Sequence, residues 1–226
     1  MAPGVFVREE HLPSGYSPWR HVALTLTIAF ALAGLGIALA TQARPTDWLF
    51  APVFFVIANL IEWMVHRNPM HRPLVPRVMY KNHAQLHHLA FTNHTMEIRR
   101  AAELGLIMMP WYTILGLFVL ASPLMLIAGL LRGPGLAGVF LLIAVAYFLT
   151  YETLHALYHL PDHVLDRAGL SALRSFRVCQ AHHRHHHALG RMAHVNFNVT
   201  FPLMDRLFGT TESEEAAAGD ASKRAV

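Results

Sequence analysis

Ten of the seventeen histidines in this chain fall into four groups whose spacings bring imidazole rings together. The groups are His66-x4-His71, His83-x3-His87-His88, His155-x3-His159 and His183-x2-His186-His187. Residues i, i+3 and i+4 share one face of a helix, so His183, His186 and His187, or His155 and His159, can aim their rings at a common point. The steps from His66 to His71 and from His83 to His87 need a helix end or a local turn to converge. A site of neutral imidazoles with no paired cysteines suits iron, zinc, copper or nickel.

Two duller readings of the run His182-His183-Arg184-His185-His186-His187 have to be weighed. A purification tag is contiguous and terminal, whereas this run is interrupted by Arg184 and lies inside the chain. A zinc-binding low-complexity tract is the other. Three separate upstream groups argue against it, because a solvated tract needs no partners.

Composition sets the environment in which these rings must work. Of 226 residues, 54% are hydrophobic and only 14% charged, and the mean hydropathy is +0.35. That is the composition of a membrane protein. The lone cysteine, Cys179, excludes an internal disulfide framework and a CxxC metal knuckle. A net charge of +4 invites a nucleic-acid reading. The basic residues flank apolar spans, however, and no nucleic-acid motif accompanies them, so positive membrane flanks explain them better.

The elements that must position the histidines follow from the apolar runs. Residues 1–20, with Pro3, Pro13, Gly15 and Pro18, read as a short extramembrane arm ending at an interfacial Trp19, not as a cleavable signal peptide. Residues 22–40 are long and apolar enough for a first transmembrane helix, in which Gly34 and Gly36 can allow close packing. A short link holding Arg44 and Pro45 leads to a second span, Trp48 to Val65. Glu62, one turn before His66, is placed to accept a hydrogen bond from a ligand ring, with an interfacial acid as the equal alternative. A polar insert over 66–103 carries five of the motif histidines. The apolar run from Leu104 to Leu131 exceeds one perpendicular span and contains Pro110 and Pro123, so it is tilted, kinked or entered by an interfacial segment. After a turn at Arg132–Gly135, a fourth span from Leu136 continues to Leu160 and bears Glu152, His155 and His159. The expected architecture is all-α: an arm, one membrane-embedded domain over 21–211 and a disordered tail over 212–226.

The charges give this topology a direction. Of 18 Lys and Arg, Arg44 and Arg132 fall in the two short links, and the other sixteen lie in the arm, the 66–103 insert and the segment after residue 160. Four spans arranged as two hairpins place all sixteen on one side, the cytoplasmic side by the positive-inside rule. The same arrangement delivers all four histidine groups to that side, as a cytosolic helical cap.

With these groups in order around a hairpin, followed by Asn196-Phe197 and Pro202-Leu203-Met204-Asp205-Arg206-Leu207-Phe208-Gly209-Thr210, the sequence resembles the fatty acid hydroxylase and sterol desaturase superfamily over about residues 48–211. One departure is His83-x3-His87-His88, where many members have one residue fewer before the pair. The resemblance implies an integral-membrane oxidoreductase with two non-haem iron ions, for which zinc can substitute in isolated protein. They would be held by His66, His71, His83, His87, His88, His155, His159, His183, His186 and His187. It also implies O2, a lipid-like substrate, and an external electron donor of ferredoxin, rubredoxin or cytochrome type, with no nucleic acid involved. Hydroxylation is the leading reaction and desaturation the second. Cleaving an unactivated C–H bond does need an oxidant beyond any side chain.

Further residues are candidates as ligands or as partners of ligands: His94, His194, Glu62, Glu152 and Asn196. For Asn82 and Asn196 a plain turn role is at least as good a reading. His163, His182 and His185 read as surface groups or partners of ligands, and His11 and His21 as unrelated to the site. Trp111 and Tyr112 read as an interfacial aromatic belt. The competing function is a non-catalytic metal-handling membrane protein, a transporter or sensor. A transporter should carry ionisable ligands near mid-bilayer, whereas the middles of the four spans hold no His, Asp or Glu.

Overall fold

The structure, a computed structural model, describes residues 7–12 and 14–212. Among the described residues every regular element is helical. In chain order the α-helices are α1 (Pro18–Ala40), α2 (Ala51–Val65), α3 (Arg77–Tyr80), α4 (His88–Ala90) and α5 (Thr113–Arg132). They continue with α6 (Pro134–Tyr158), α7 (Asp162–Arg167), α8 (Arg174–His186) and α9 (Leu203–Leu207). Four stretches are long and apolar enough to cross a membrane: Pro18–Ala40, Pro45–Met70, Thr113–Arg132 and Pro134–Tyr158. At 1.5 Å per residue, α1 alone reaches about 35 Å, more than a hydrocarbon core of about 30 Å. The contacts divide the chain into two compact units. Among the described residues, one holds Gly15–Ala58 and Met108–Thr153; the other holds those up to Ser14, Asn59–Ile107 and those from Leu154 to Glu212.

In the first unit, local chemistry sets the helix ends. Ser17 caps α1 by accepting the Arg20 N–H, with Pro18 in the first turn, where a missing N–H costs nothing. Gly133, at φ 93°, ends α5 in a conformation that only glycine adopts freely, and Pro134 starts α6. The central element is α6, 61% buried over its apolar window against 11–17% for the other three. Its Leu141, Val145 and Phe148 pack with Ala29 of α1 and Ile114 of α5, and its Leu136, Val139 and Phe140 pack with Phe54 of α2 and Ala128 of α5. Close approach is built in at Gly138, where an added Cβ would lie 2.4 Å from the Ala40 backbone nitrogen and 2.8 Å from the Gly36 carbonyl oxygen. Gly36 therefore serves helix packing as its sequence suggested, whereas nothing lies within 4 Å of a Cβ on Gly34. One of the two link arginines is paired through its side chain: buried Asp47 accepts from the Arg132 guanidinium and from the Arg44 backbone N–H, each at 2.8 Å.

The apolar run from Leu104 to Leu131 is not one long helix. A 3-10 segment, Ala101–Leu106, precedes an irregular stretch around Pro110, and the helix begins only at Thr113. The uncharged residues 107–112 link the two parts without a polar break, so the run reads as continuous in sequence.

In the second unit two π-helical segments stand out, His66–Met70 after α2 and Lys81–His87 after α3. One residue of the N-terminal arm, Arg8, is pinned there. Arg8, in the 3-10 turn Arg8–His11, is buried and pairs with fully buried Glu103 at 2.7 Å. Glu212, assigned from sequence to a disordered tail, accepts from His185 at 3.1 Å and from Arg191 at 3.2 Å. The remainder of that tail, 213–226, lies outside the described residues.

Candidate metal centre

The π segments explain how histidines five residues apart converge, over the 66–71 step named from sequence and over 83–88; His83 and His87, which sequence had expected to converge, go to different groups. Bonding from i to i+5 widens a turn by one residue and carries residue i+5 back over residue i. His66 and His71 thus meet, as do His83 and His88, with ring centroids 5.0 and 4.8 Å apart. Pro69 assists, because it has no N–H to offer an α-type bond to Val65. His155 lies in the last turn of α6 and His159 just past its end; His183 and His186 lie in the last turn of α8, and His187 caps it.

All ten histidines are buried and sort into two groups of five, His66, His71, His83, His88 and His186 in one, and His87, His155, His159, His183 and His187 in the other. Within each group the ring nitrogens lie within 4.8 Å of one another. In the first, Nε2 of His66 is 2.7 Å from that of His83 and 3.1 Å from that of His186, and His71 is 3.0 Å from His186. In the second, Nε2 of His87 is 3.1 Å from His155 and 3.2 Å from His187, and His183 is 3.0 Å from His187. The doublets His87-His88 and His186-His187 each send one ring to either group, because neighbours on a helix point in different directions.

Backbone carbonyls fix the tautomers of half these rings. Nδ1 donates to Leu106 from His87 (2.9 Å), to Met96 from His159 (2.7 Å) and to Val195 from His186 (2.8 Å). His66 donates likewise to Phe197, and His187 to Phe91. A carbonyl only accepts, so in each neutral ring the proton sits on Nδ1 and Nε2 is a bare lone pair. His66 and His186 therefore face each other with two lone pairs and no proton, and so do His87 and His187. Such buried contacts are repulsive until a cation lies between them, and the donor set suits a late first-row ion. The residues present fit a metal in each group.

Electrostatics keep the rings ready. Burial first, and neighbouring imidazoles second, hold His83, His88, His183, His186 and His187 well below the usual histidine range. Burial does the same to His87, with His159 as the next cause, and lowers His71 to about 2 and His159 to about 3. These rings are neutral at pH 7, the form that binds metal without first losing a proton.

The other candidates lie elsewhere. His94 and His194 are exposed and outside both groups. Glu152 belongs to the other unit, where its carboxylate accepts the Met109 N–H at 3.3 Å, and it joins neither group. Glu62 does not accept from His66, whose two ring nitrogens face Phe197 and the cluster. It accepts instead from the N–H groups of Val199 (2.6 Å) and Thr200 (3.1 Å), the Thr200 hydroxyl (2.7 Å) and Asn198 (3.2 Å). Asn196 takes the turn role: at φ 58° its side chain donates to the His182 and Glu212 carbonyls and accepts the Glu212 N–H. His163 is exposed, while His182 and His185 bond to Asp205 and Glu212. His21 sits in the other unit between the Tyr16 hydroxyl and the Met109 carbonyl.

Sequence reasoning passed over Asp205. Its carboxylate accepts from the N–H groups of Phe197 (3.0 Å) and Asn198 (2.7 Å), the Thr210 hydroxyl (2.6 Å) and His182 (3.0 Å). Burial would raise this carboxyl, but the bonds from His182, Thr210 and Asn198 outweigh it and hold the group below the usual carboxylate range. Glu62 and Asp205 thus clamp the segment whose Val195 and Phe197 carbonyls orient His186 and His66. The available signal was Asp205 itself, the one acid in the stretch from Asn196 to Thr210.

No curated protein and no solved structure matches the chain. The family model for fatty acid hydroxylase matches residues 51–210, a stretch containing all ten clustered histidines and the segment that Glu62 and Asp205 hold. On a match of that extent, the chain belongs to the fatty acid hydroxylase family, within the fatty acid hydroxylase and sterol desaturase superfamily.

Proposed function

We propose that the chain is an integral-membrane oxidoreductase that holds one non-haem iron ion in each five-histidine group and hydroxylates a hydrophobic, lipid-like substrate with O2. Desaturation is the second reaction open to the same site. The observation that carries this reading is the pair of facing, proton-free Nε2 contacts, His66 with His186 and His87 with His187. Bound iron would supply the oxygen activation and oxidising power that no side chain possesses. The protein's own contribution is geometric. Ten imidazoles would offer about five nitrogens to each ion, a donor set that suits iron. The carbonyls of Phe91, Met96, Leu106, Val195 and Phe197 hold rings in the metal-binding tautomer, and burial of all ten rings keeps the site dry.

The four apolar helices support two membrane hairpins, with the histidine unit and both termini on the cytoplasmic side, where the basic residues concentrate. Electrons come from a separate donor of ferredoxin, rubredoxin or cytochrome type, and zinc can replace iron in isolated protein. Lipid extracts of cells with and without the chain test the reaction by mass spectrometry. The expected result is a product one oxygen atom heavier that depends on O2; metal-dependent flux across vesicles without oxygen consumption would instead establish a transporter.

A further inference from the structure

The carbonyls that orient the rings come from two different stretches of chain, one for each group. For the group containing His87, all three are in residues 91–106: Phe91 for His187, Met96 for His159 and Leu106 for His87. For the group containing His66, they are Val195 and Phe197. The second stretch is clamped by Glu62 and Asp205. The first is gripped by Arg8, more than eighty residues upstream.

The Arg8 guanidinium is buried and donates to the Ala90 carbonyl at 2.7 Å, the Glu97 carbonyl at 2.9 Å and the Thr95 carbonyl at 2.5 Å. It also donates to the Glu103 carboxylate at 2.7 Å and lies 4.2 Å from the centre of the Phe91 ring. Glu103 in turn accepts the Arg99 N–H at 3.2 Å. The carbonyls alternate. Arg8 takes those of residues 90, 95 and 97, and the histidines take 91 and 96, which stand between or beside them. Holding one set on one side of the backbone aims the other set at the rings. A planar fork of five donors serves three carbonyls and a carboxylate at once, one partner more than the three donors of a lysine can reach.

We propose that Arg8 is a positioning residue for one half of the metal centre: through residues 90–103 it orients His159 and His187, and its loss weakens metal binding in the His87 group while sparing the His66 group. This inference rests on the metal-binding reading above. It also assigns a role to the N-terminal segment, which sequence had read as an extramembrane arm.

The test uses the full chain in detergent, stripped of metal and titrated anaerobically with Co(II), whose visible bands report the ligand field at each site. Wild type should bind two equivalents. In Arg8→Ala one equivalent should keep its affinity and spectrum, and the other should bind about 10–100-fold more weakly, the usual cost of losing a partner that orients ligands. Arg8→Lys should recover part of that affinity. Asp205→Asn should weaken the other equivalent, with the complementary band lost. Should Arg8→Ala fail to fold, judged by circular dichroism and gel filtration, Glu103→Gln and Arg8→Lys carry the same comparison. Two equivalents at wild-type affinity in the folded variants, or equal weakening of both, would overturn the proposal. Failure of wild type to bind Co(II) at all would instead remove the metal-binding reading beneath it.

Discussion

His88 and His187 stack face to face, ring centroids 4.2 Å apart and planes 25° from parallel, although they belong to different five-histidine groups. The partition between the groups therefore runs between two rings in van der Waals contact. Each ring's immediate neighbour in sequence, His87 or His186, serves the opposite group. Two adjacent ions, rather than two distant ones, are what such an interleaved set would hold.

The doublets make a sharp mutational prediction. His186→Ala and His187→Ala alter consecutive residues yet remove a ring from different groups. Each should lower turnover at least about 100-fold, beyond the range seen when only a ligand's partner is lost. Membrane fractionation should find both variants inserted normally. Full activity in His186→Ala would remove the assignment of this motif.

Glu62→Gln keeps the size of the side chain but replaces an acceptor of the Thr200 hydroxyl and the Asn198 amide with a donor. The segment bearing the Phe197 carbonyl should loosen, and metal affinity in the His66 group should fall by about 10–100-fold. Equilibrium metal titration checks this; unchanged affinity at both sites would show that the segment holds without Glu62.

Acid should destabilise the metal-free protein through its buried rings. Eight of them, outside the helices long enough to span, have folded pKa values below the ordinary 6.5, with His159 at about 3 and His71 at about 2. For a base whose folded pKa is depressed, the unfolded chain binds more protons below pH 6.5. Stability is thus fully present above that pH and lost as pH falls from 6.5 toward the folded values. Each ring can contribute a slope of up to about 1.4 kcal/mol per pH unit. Melting curves of stripped protein between pH 8 and 5 should show a steep fall below about 6.5, and a flat profile would mean that the rings are not buried.

Close helix approach predicts an effect with no chemistry in it. Gly138→Ala puts a methyl group 2.4 Å from the Ala40 backbone nitrogen, which no rotamer change can relieve. The expected cost is about 1–3 kcal/mol. Gly34→Ala, in open space, should change stability by less than about 0.5 kcal/mol. Thermal unfolding of the two variants in one detergent compares them, and equal melting temperatures would contradict the tight crossing.

The parts legible in the sequence were those written in side chains. Apolar runs announce the four long helices, and spacing announces that His155 and His159 gather; it aimed His183, His186 and His187 at one point, whereas His186 joins the His66 group. What stayed hidden is carried by backbone. Nothing in Lys81–His87 marks a π segment in advance, and the carbonyls of Phe91, Met96, Val195 and Phe197 belong to residues whose apolar side chains give no sign of a backbone bond to a ring. Glu62 shows the same limit. Its proximity to His66 in sequence left a direct bond and an interfacial role as equal readings, while its partners other than Asn59 lie more than 130 residues away, in a segment that only tertiary folding brings near. Arg8 gave no signal at all, since a single arginine in a Pro-containing arm reads as a solvated charge.

The central claim, that two ions lie side by side in these two groups, is tested most directly by anomalous diffraction from crystals of iron-loaded protein at the iron edge. Two adjacent peaks are predicted, one among His66, His71, His83, His88 and His186 and one among His87, His155, His159, His183 and His187. A single peak, or no peak within either group in protein that turns over its substrate, would contradict the account.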